Sequence, residues 1–252
     1  MAAAYPRRPM AGDVQARIDS VERWFHIYEV VPGFVTPGVY DPAPVLERLH
    51  LPDDLSGKRV LDVGARDGFF SFEAERRGAE VLALDFMPPD RTGFGVAAEL
   101  RGSKVDYKVD NVYNLSPERH GTFDLVLCLG VLYHLRNPLL GLDRIWEVCE
   151  RDMLLETQIR SGRQRRVGGV AAEREPLMEF HPEDSLNSDH TNWWSPNPPA
   201  LRAMLESSCF EVADMQVLPA RAIVHARRFE DEHRHYWRTL DGASTVDFDQ
   251  DA

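Results

Sequence analysis

From Arg59 onward, short apolar runs alternate with stretches whose apolar positions recur at helical spacing. That alternation predicts a mostly parallel sheet with helices on both faces. Strands are expected over 58–63, 80–85, 105–109, 123–129 and 153–158. An amphipathic helix over 138–150 places Leu142, Ile145, Trp146 and Cys149 on one face. The repeat closes with a helix at 198–208 and strands at 210–218 and 220–228. A turn that short joins only antiparallel neighbours, because a parallel pair requires a long crossover. The expectation is therefore an α/β sheet of seven strands, mostly parallel, with an antiparallel last strand.

Three segments fall outside this rhythm. Residues 1–55 contain a predicted helix over 14–25, followed by the Pro- and Gly-rich loop VVPGFVTPGVYDPAP. Residues 159–199 are a polar insertion within the main domain, 56–228, and they carry basic clusters and the pair Trp193 and Trp194. Long loops in compact domains commonly serve as lids over a site. A C-terminal tail, 229–252, follows, and its last part, 239–252, is Asp-rich and aperiodic and is expected to fray.

With 252 residues, 43% of them hydrophobic, the chain suits one large α/β domain. Its formal charge of −12 weighs against a nucleic-acid partner, since phosphate backbones are gripped by clustered Lys and Arg. Local basic clusters at 160–166 and 227–238 run against that trend. Cys128, Cys149 and Cys209 are odd in number and set in apolar surroundings, which predicts reduced core thiols. No signal sequence is recognisable, and the longest apolar run, 125–132, falls far short of the ~20 residues a membrane span needs. A cytoplasmic protein without a membrane partner is expected.

The segment VLDVGARDGFFS, residues 60–71, runs a buried strand into a glycine-bearing turn and then a helix. Gly64 and Gly68 permit a sharp turn and let a ligand approach the main chain. Arg66 stands where a dinucleotide fingerprint needs its second glycine, which demotes nicotinamide cofactors, and no P-loop pattern occurs. Asp85, about twenty residues on at the end of the second strand, is placed to accept both ribose hydroxyls of a nucleoside. After the third strand, Asp110 and Asn111 can read an adenine amino group, with Phe86 and Val112 packing on the ring. An Asx-type turn explains Asp110 and Asn111 equally simply. Asp62, inside the first motif, completes the set.

The segments VLDVGARDGFFS, LCLGVLYHLRNPLLGLDRIWEV, LLET and NWWSPNPPALRAMLESSCF together resemble the tRNA wobble-uridine carboxymethyltransferase family and its small-molecule methyltransferase relatives. Leu132-Tyr133-His134 followed by Asn137-Pro138-Leu139 is the most specific match. The resemblance implies a Rossmann-like class I methyltransferase fold and S-adenosylmethionine as donor, with Tyr133 at a donor-contacting position and Arg221 or Arg227 near the family's C-terminal arginine. That family holds a carboxylated donor with a lysine, but RWFHIYEVVPGFVTPG contains none. The ordinary methyl donor is therefore implied.

An alcohol becomes a good nucleophile only as a base removes its proton. His134, after the fourth strand at the carboxyl edge of the sheet, is the expected base, with a capping or packing role as the plainer alternative. His26, Trp193, Trp194 and Arg221 are expected to line the acceptor side. His181, Glu183, Asp184, Asp189 and His190 are metal-ligand types, but their scattered spacing makes a divalent metal disfavoured. The expected activity is O-methylation of a small hydroxyl-bearing substrate, such as a sugar or polysaccharide precursor. The alternatives are a tRNA-modifying enzyme and a non-catalytic S-adenosylmethionine-binding protein; self-association into a homo-oligomer stays open.

Overall fold

The computed structural model describes residues 11–160, 166–167, 170–171 and 174–231, and the chain divides into two compact units, Met1–Asn111 and Val112–Ala252. The first unit holds, in order, α1 (Ala11–Asp19), β1 (Glu29–Val31), β2 (Phe34–Val35), α2 (Ala43–Leu49), β3 (Arg59–Val63), α3 (Phe69–Arg76), β4 (Glu80–Asp85), α4 (Phe94–Arg101) and β5 (Asp106–Val109). The second holds α5 (Pro117–His120), β6 (Phe123–Leu129), α6 (Pro138–Val148), β7 (Cys149–Gln158), β8 (Arg166–Val167), β9 (Val170–Ala171), β10 (Met178–Phe180), β11 (Trp194–Pro196), α7 (Pro198–Ser207), β12 (Phe210–Val217) and β13 (Arg221–Arg228).

The mostly parallel sheet draws three strands from the first unit, in the order β3-β4-β5, and four from the second, in the order β12-β13-β7-β6. In the first unit both pairings are parallel, with Asp62 beside Ala83 and Asp85 beside Val109. In the second, β6 and β7 are parallel, while β13 is antiparallel to both β7 and β12. The antiparallel last strand is thus present, and the tight connection before it is closed by the Leu218 amide donating to the Arg221 carbonyl at 2.8 Å. All three cysteines are buried free thiols.

The first unit's core explains how its N-terminal segment is held. Val14 and Ile18 of α1, with Trp24, Tyr28 and Val30, are buried in one cluster with Phe72 of α3 and Phe94 and Ala97 of α4. Burial of each large apolar side chain contributes roughly 1.5–3 kcal/mol. A β-carbon added to Gly93 would lie 2.2 Å from the Trp24 ring, so this approach requires glycine.

Three expectations are corrected. The helix expected over 14–25 ends at Asp19, because the Trp24 indole donates to the Ile18 carbonyl at 2.9 Å and the Phe25 and His26 amides are taken by Asp67. The helix expected to reach residue 150 stops at Val148, and β7 begins at Cys149, whose ψ of 122° is already extended. The insertion carries two antiparallel strand pairs, β8 with β9 and β10 with β11, rather than a bare loop. The expected frayed tail and most of both basic clusters lie outside the described residues.

Candidate active site

In the first unit, β3 delivers Asp62 and the glycine turn. Gly64, Arg66 and Gly68 have φ of 75°, 53° and 85°, so the chain between β3 and α3 passes repeatedly through the left-handed region that glycine tolerates best. Gly64 donates to the Leu84 carbonyl at 2.7 Å, tying the turn to the end of β4. At Gly68 a β-carbon would fall 2.5 Å from Phe72 and 2.8 Å from Phe94. Asp62 is buried and accepts the Ser71 hydroxyl at 2.6 Å. Burial pushes its carboxyl up to about 6; the Ser71 hydrogen bond opposes this and the Asp85 charge adds to it.

Asp85 ends β4 with its carboxylate buried. One oxygen accepts the Arg66 amide and the other the Met87 amide, both at 2.9 Å. A carboxylate has about four lone-pair sites, so two hydrogen bonds leave capacity for two hydroxyl donors. Phe86, next in the chain, is 70% exposed. The Asn111 amide donates to Asp110 Oδ1 at 2.8 Å, a local turn contact.

Asp67 is a residue that the sequence reading passed over. It is fully buried at 0% exposure, accepts the amides of Phe25, His26 and Gly93, and takes the Tyr28 hydroxyl on its carbonyl at 2.8 Å. It thereby fastens the N-terminal segment and the α4 entry to the glycine turn. His26 is buried among Phe25, Tyr40, Phe69 and Phe70. Burial lowers its imidazole to about 4, against the opposing pull of Asp67.

In the second unit, β6 runs into Gly130 at φ 74° and then a 3-10 turn, Leu132–His134. Tyr133 lies under the Arg221 guanidinium, 4.8 Å from its ring centre, and Arg221 pairs through two nitrogens with Glu156 on β7. Glu156 is 3% exposed. Burial also raises the Tyr133 phenol, although Arg221 opposes that shift. Burial acts against the Arg221 charge, but the Glu156 hydrogen bonds outweigh it and its pKa is raised. Glu156 also escaped the sequence reading, although a lone acid inside the apolar run MLLETQ signals a required partner.

The insertion meets this turn directly. The Trp193 amide donates to the Tyr133 carbonyl at 2.8 Å, and the Trp194 indole to the Arg136 carbonyl at 3.2 Å. Phe180 packs against both rings, with centroids 6.3 Å and 5.0 Å away, and the Arg136 guanidinium lies 5.1 Å from the Trp193 ring centre. His134 faces Thr191 of the same segment. The second unit therefore gathers Tyr133, His134, Trp193 and Trp194 at the carboxyl end of β6, with Arg221 over Tyr133. Asp62, Gly64, Gly68 and Asp85 meet in the first unit, where Phe86 follows Asp85 and Asp110 donates its amide to the Asp85 carbonyl at 3.0 Å. Val112 is buried at the head of the second unit. Among the described residues, no group of three or more His, Cys, Asp or Glu could hold a metal ion, and no helix is long and apolar enough to cross a membrane.

A family described as "Methyltransferase domain" matches residues 39–214. The chain belongs to this family. Its fold is the Rossmann-like fold of the class I methyltransferases. Curated relatives include the ubiquinone biosynthesis O-methyltransferases of Xanthomonas euvesicatoria pv. vesicatoria, 39% identical over 93 residues (37% of this chain), and Xanthomonas campestris pv. campestris, 41% identical over 96 residues (38% of this chain). The methyltransferase spans only 39% and 38% of the length of those relatives. Among solved structures, the N-terminal domain of EvdMO1 with S-adenosylhomocysteine bound gives a TM-score of 0.66 at 21% identity, covering 90% of this chain and 100% of that one. Magnesium protoporphyrin IX methyltransferase from Synechocystis PCC 6803 gives 0.52 at 17%, covering 74% and 77%. These structural likenesses carry the fold of the methyltransferase.

Proposed function

We propose that this methyltransferase moves the methyl group of S-adenosylmethionine to a hydroxyl of a small molecule, with a sugar ring as the favoured acceptor, in the cytoplasm. The observation that carries this reading is the grouping of an imidazole, His134, with the aromatic side chains Trp193, Trp194 and Phe180 at the end of β6. Flat apolar rings with polar groups beside them suit a ring-shaped polyol, and the imidazole suits its hydroxyl.

The first unit fits the donor. Left-handed backbone at Gly64 and Gly68 gives main-chain access, Asp85 retains lone pairs for two ribose hydroxyls, and the exposed Phe86 ring offers a face for adenine. Asp110 and Asn111 would complete the adenine contacts, and Asp62 supports the turn through Ser71. When bound, S-adenosylmethionine supplies a methyl group on a sulfonium centre that departs as a neutral thioether. The protein's remaining tasks are alignment and removal of the acceptor proton. His134 takes that proton, while Tyr133 meets the donor and Arg221, over the Tyr133 ring, meets the acceptor. Residues 159–199 act as the lid.

The relatives support this class of chemistry. The matched curated proteins are O-methyltransferases of ubiquinone biosynthesis, and the EvdMO1 N-terminal domain was also solved in the presence of D-fucose. The net charge of −12 favours a small acceptor over tRNA. The test is transfer of labelled methyl from S-adenosylmethionine to a panel of monosaccharides, nucleotide sugars, phenols and bulk tRNA. Label on a hydroxyl of a small acceptor, falling about 10²-fold or more in His134→Ala, is the expected result. Label on tRNA alone, or on nitrogen or carbon, overturns the reading.

A further inference from the structure

The insertion dictates where the ring proton of His134 sits. His134 Nδ1 lies 2.8 Å from Thr191 Oγ1 and 3.1 Å from the Thr191 carbonyl oxygen. The Thr191 hydroxyl is 2.6 Å from Asp189 Oδ1, which also accepts the Thr191 amide at 2.8 Å. A hydroxyl has one proton to donate, and a contact this short with a carboxylate places that proton toward Asp189. Thr191 Oγ1 therefore presents a lone pair to Nδ1, and a carbonyl oxygen can present nothing else. Both Thr191 oxygens, the hydroxyl and the backbone carbonyl, thus call for a proton on Nδ1. In a neutral imidazole the lone pair then belongs to Nε2.

We propose that Thr191 and Asp189 are positioning residues that lock His134 in its Nδ1–H tautomer and so make Nε2 the nitrogen that takes the acceptor's proton. This rests on His134 being the base and adds which nitrogen acts and what holds it. The step balances. As the acceptor oxygen bonds to the methyl carbon, its proton passes to Nε2 and the carbon–sulfur electron pair stays on sulfur, so the positive charge moves from sulfonium to imidazolium. Nδ1–H keeps its bond to Thr191 throughout, and the Asp189 carboxylate at the far end of the hydroxyl favours the charged ring. Burial works against ionisation of Asp189, but the Thr191 hydroxyl and amide, with positive charge at His134 and His190, hold its carboxyl below the usual range. Among the described residues, the charged groups on the elements that meet this turn include His190 on the insertion, Arg136 over Trp193, and the Glu156–Arg221 pair against Tyr133. The segment carrying Thr191 is held by the two residues that follow it, Asn192 Nδ2 donating to the Leu186 carbonyl at 2.8 Å and the Trp193 amide donating to the Tyr133 carbonyl at 2.8 Å.

The test is long-range ¹H–¹⁵N NMR of the uniformly labelled full chain at pH 8, with the His134 ring assigned by its loss in His134→Gln. The expected spectrum has a pyrrole-type Nδ1 and a pyridine-type Nε2. Thr191→Val, which keeps the shape and removes the hydroxyl, leaves Nδ1–H only the backbone carbonyl at 3.1 Å, so the Nε2–H fraction should rise measurably without displacing the Nδ1–H form entirely, and kcat should fall by about threefold or more with donor KM within about twofold. Thr191→Ser should restore both. Asp189→Asn, which retains an oxygen for the turn but loses the charge, should move the NMR titration of His134 to lower pH. An Nε2–H tautomer in the wild type, or a Thr191→Val variant with unchanged tautomer and turnover, overturns the positioning role. Loss of methyl transfer in His134→Ala alongside either of those results leaves the base assignment standing, so the two readings fail separately.

Discussion

Replacing Asp67 with alanine should be among the most damaging single changes to the stability of this methyltransferase. The carboxylate accepts three backbone amides, from Phe25 at 2.5 Å, His26 at 2.9 Å and Gly93 at 3.0 Å, in a site with no solvent exposure. Hydrogen bonds to charged groups contribute roughly 1.5–3 kcal/mol each, and a buried donor left unpaired costs about 1–3 kcal/mol. Water entering the vacated space and relief from holding a buried charge offset part of this, leaving about 4 kcal/mol for Asp67→Ala. That is a large share of the roughly 5–15 kcal/mol by which a typical domain is stable. Asp67→Asn keeps one acceptor oxygen, which can serve the Phe25 and His26 amides or the Gly93 amide but not both sets. It should cost about half as much. Equilibrium urea unfolding followed by tryptophan fluorescence measures both, because Trp24 lies in the cluster that Asp67 fastens. An Asp67→Ala protein within about 0.5 kcal/mol of wild type would refute the idea that this carboxylate secures the N-terminal segment.

Two buried groups in the first unit should pull stability in opposite directions with pH. His26 titrates near 4 in the fold against an ordinary 6.5, so its stabilisation is present above pH 6.5 and drains away as pH falls toward 4. Asp62 titrates near 6 against 3.8, so its stabilisation is present below pH 3.8 and is lost as pH rises through 6. Each spans about 3 kcal/mol, so their sum is nearly flat between pH 4 and 6. The wild-type-minus-His26→Phe stability difference should climb with pH across that window, and the wild-type-minus-Asp62→Asn difference should drop; denaturant curves at several pH values give both signs. Glu156→Ala leaves Arg221 half-sheltered without its carboxylate and should destabilise by about 3–5 kcal/mol, with Arg221→Met in the same chain recovering part of the loss in a double-mutant cycle. Gly68→Ala combines a φ of 85° with a 2.5 Å approach to Phe72, so a thermal melt should fall by several degrees; an unchanged melt would contradict the tight turn.

The elements that hydrophobic period announces clearly were legible in the chain. Each of the seven strands lies within a few residues of its expected place, because a buried strand such as Phe123–Leu129 is an apolar run bounded by turn chemistry. Asp62, Gly64, Gly68 and Asp85 were legible because strand-to-helix turns constrain residue type and spacing together. What escaped were contacts made by one polar atom to a distant backbone. The end of α1 depends on Asp67, 42 residues from Phe25, and no local pattern records that. Within the insertion, polar composition hid the β10–β11 pair, whose three-residue strands show no clean alternation: β10 buries none of its residues and β11 buries Ser195 and Pro196 in succession. Asp189 was visible only as a carboxylate of metal-ligand type, yet its partner is the Thr191 hydroxyl two residues on. That pairing takes its chemical meaning from His134, 57 residues away from Thr191.

Titration calorimetry of the pure protein with S-adenosylhomocysteine, run beside an Asp85→Ala variant, goes to the centre of the matter. One molecule bound per chain in the wild type, and binding at least about tenfold weaker without the Asp85 carboxylate, is the expected pair of results. A wild-type protein that gives no heat with this nucleoside, or an Asp85→Ala protein that binds it equally well, would contradict the placement of the donor on the glycine turn and the end of β4.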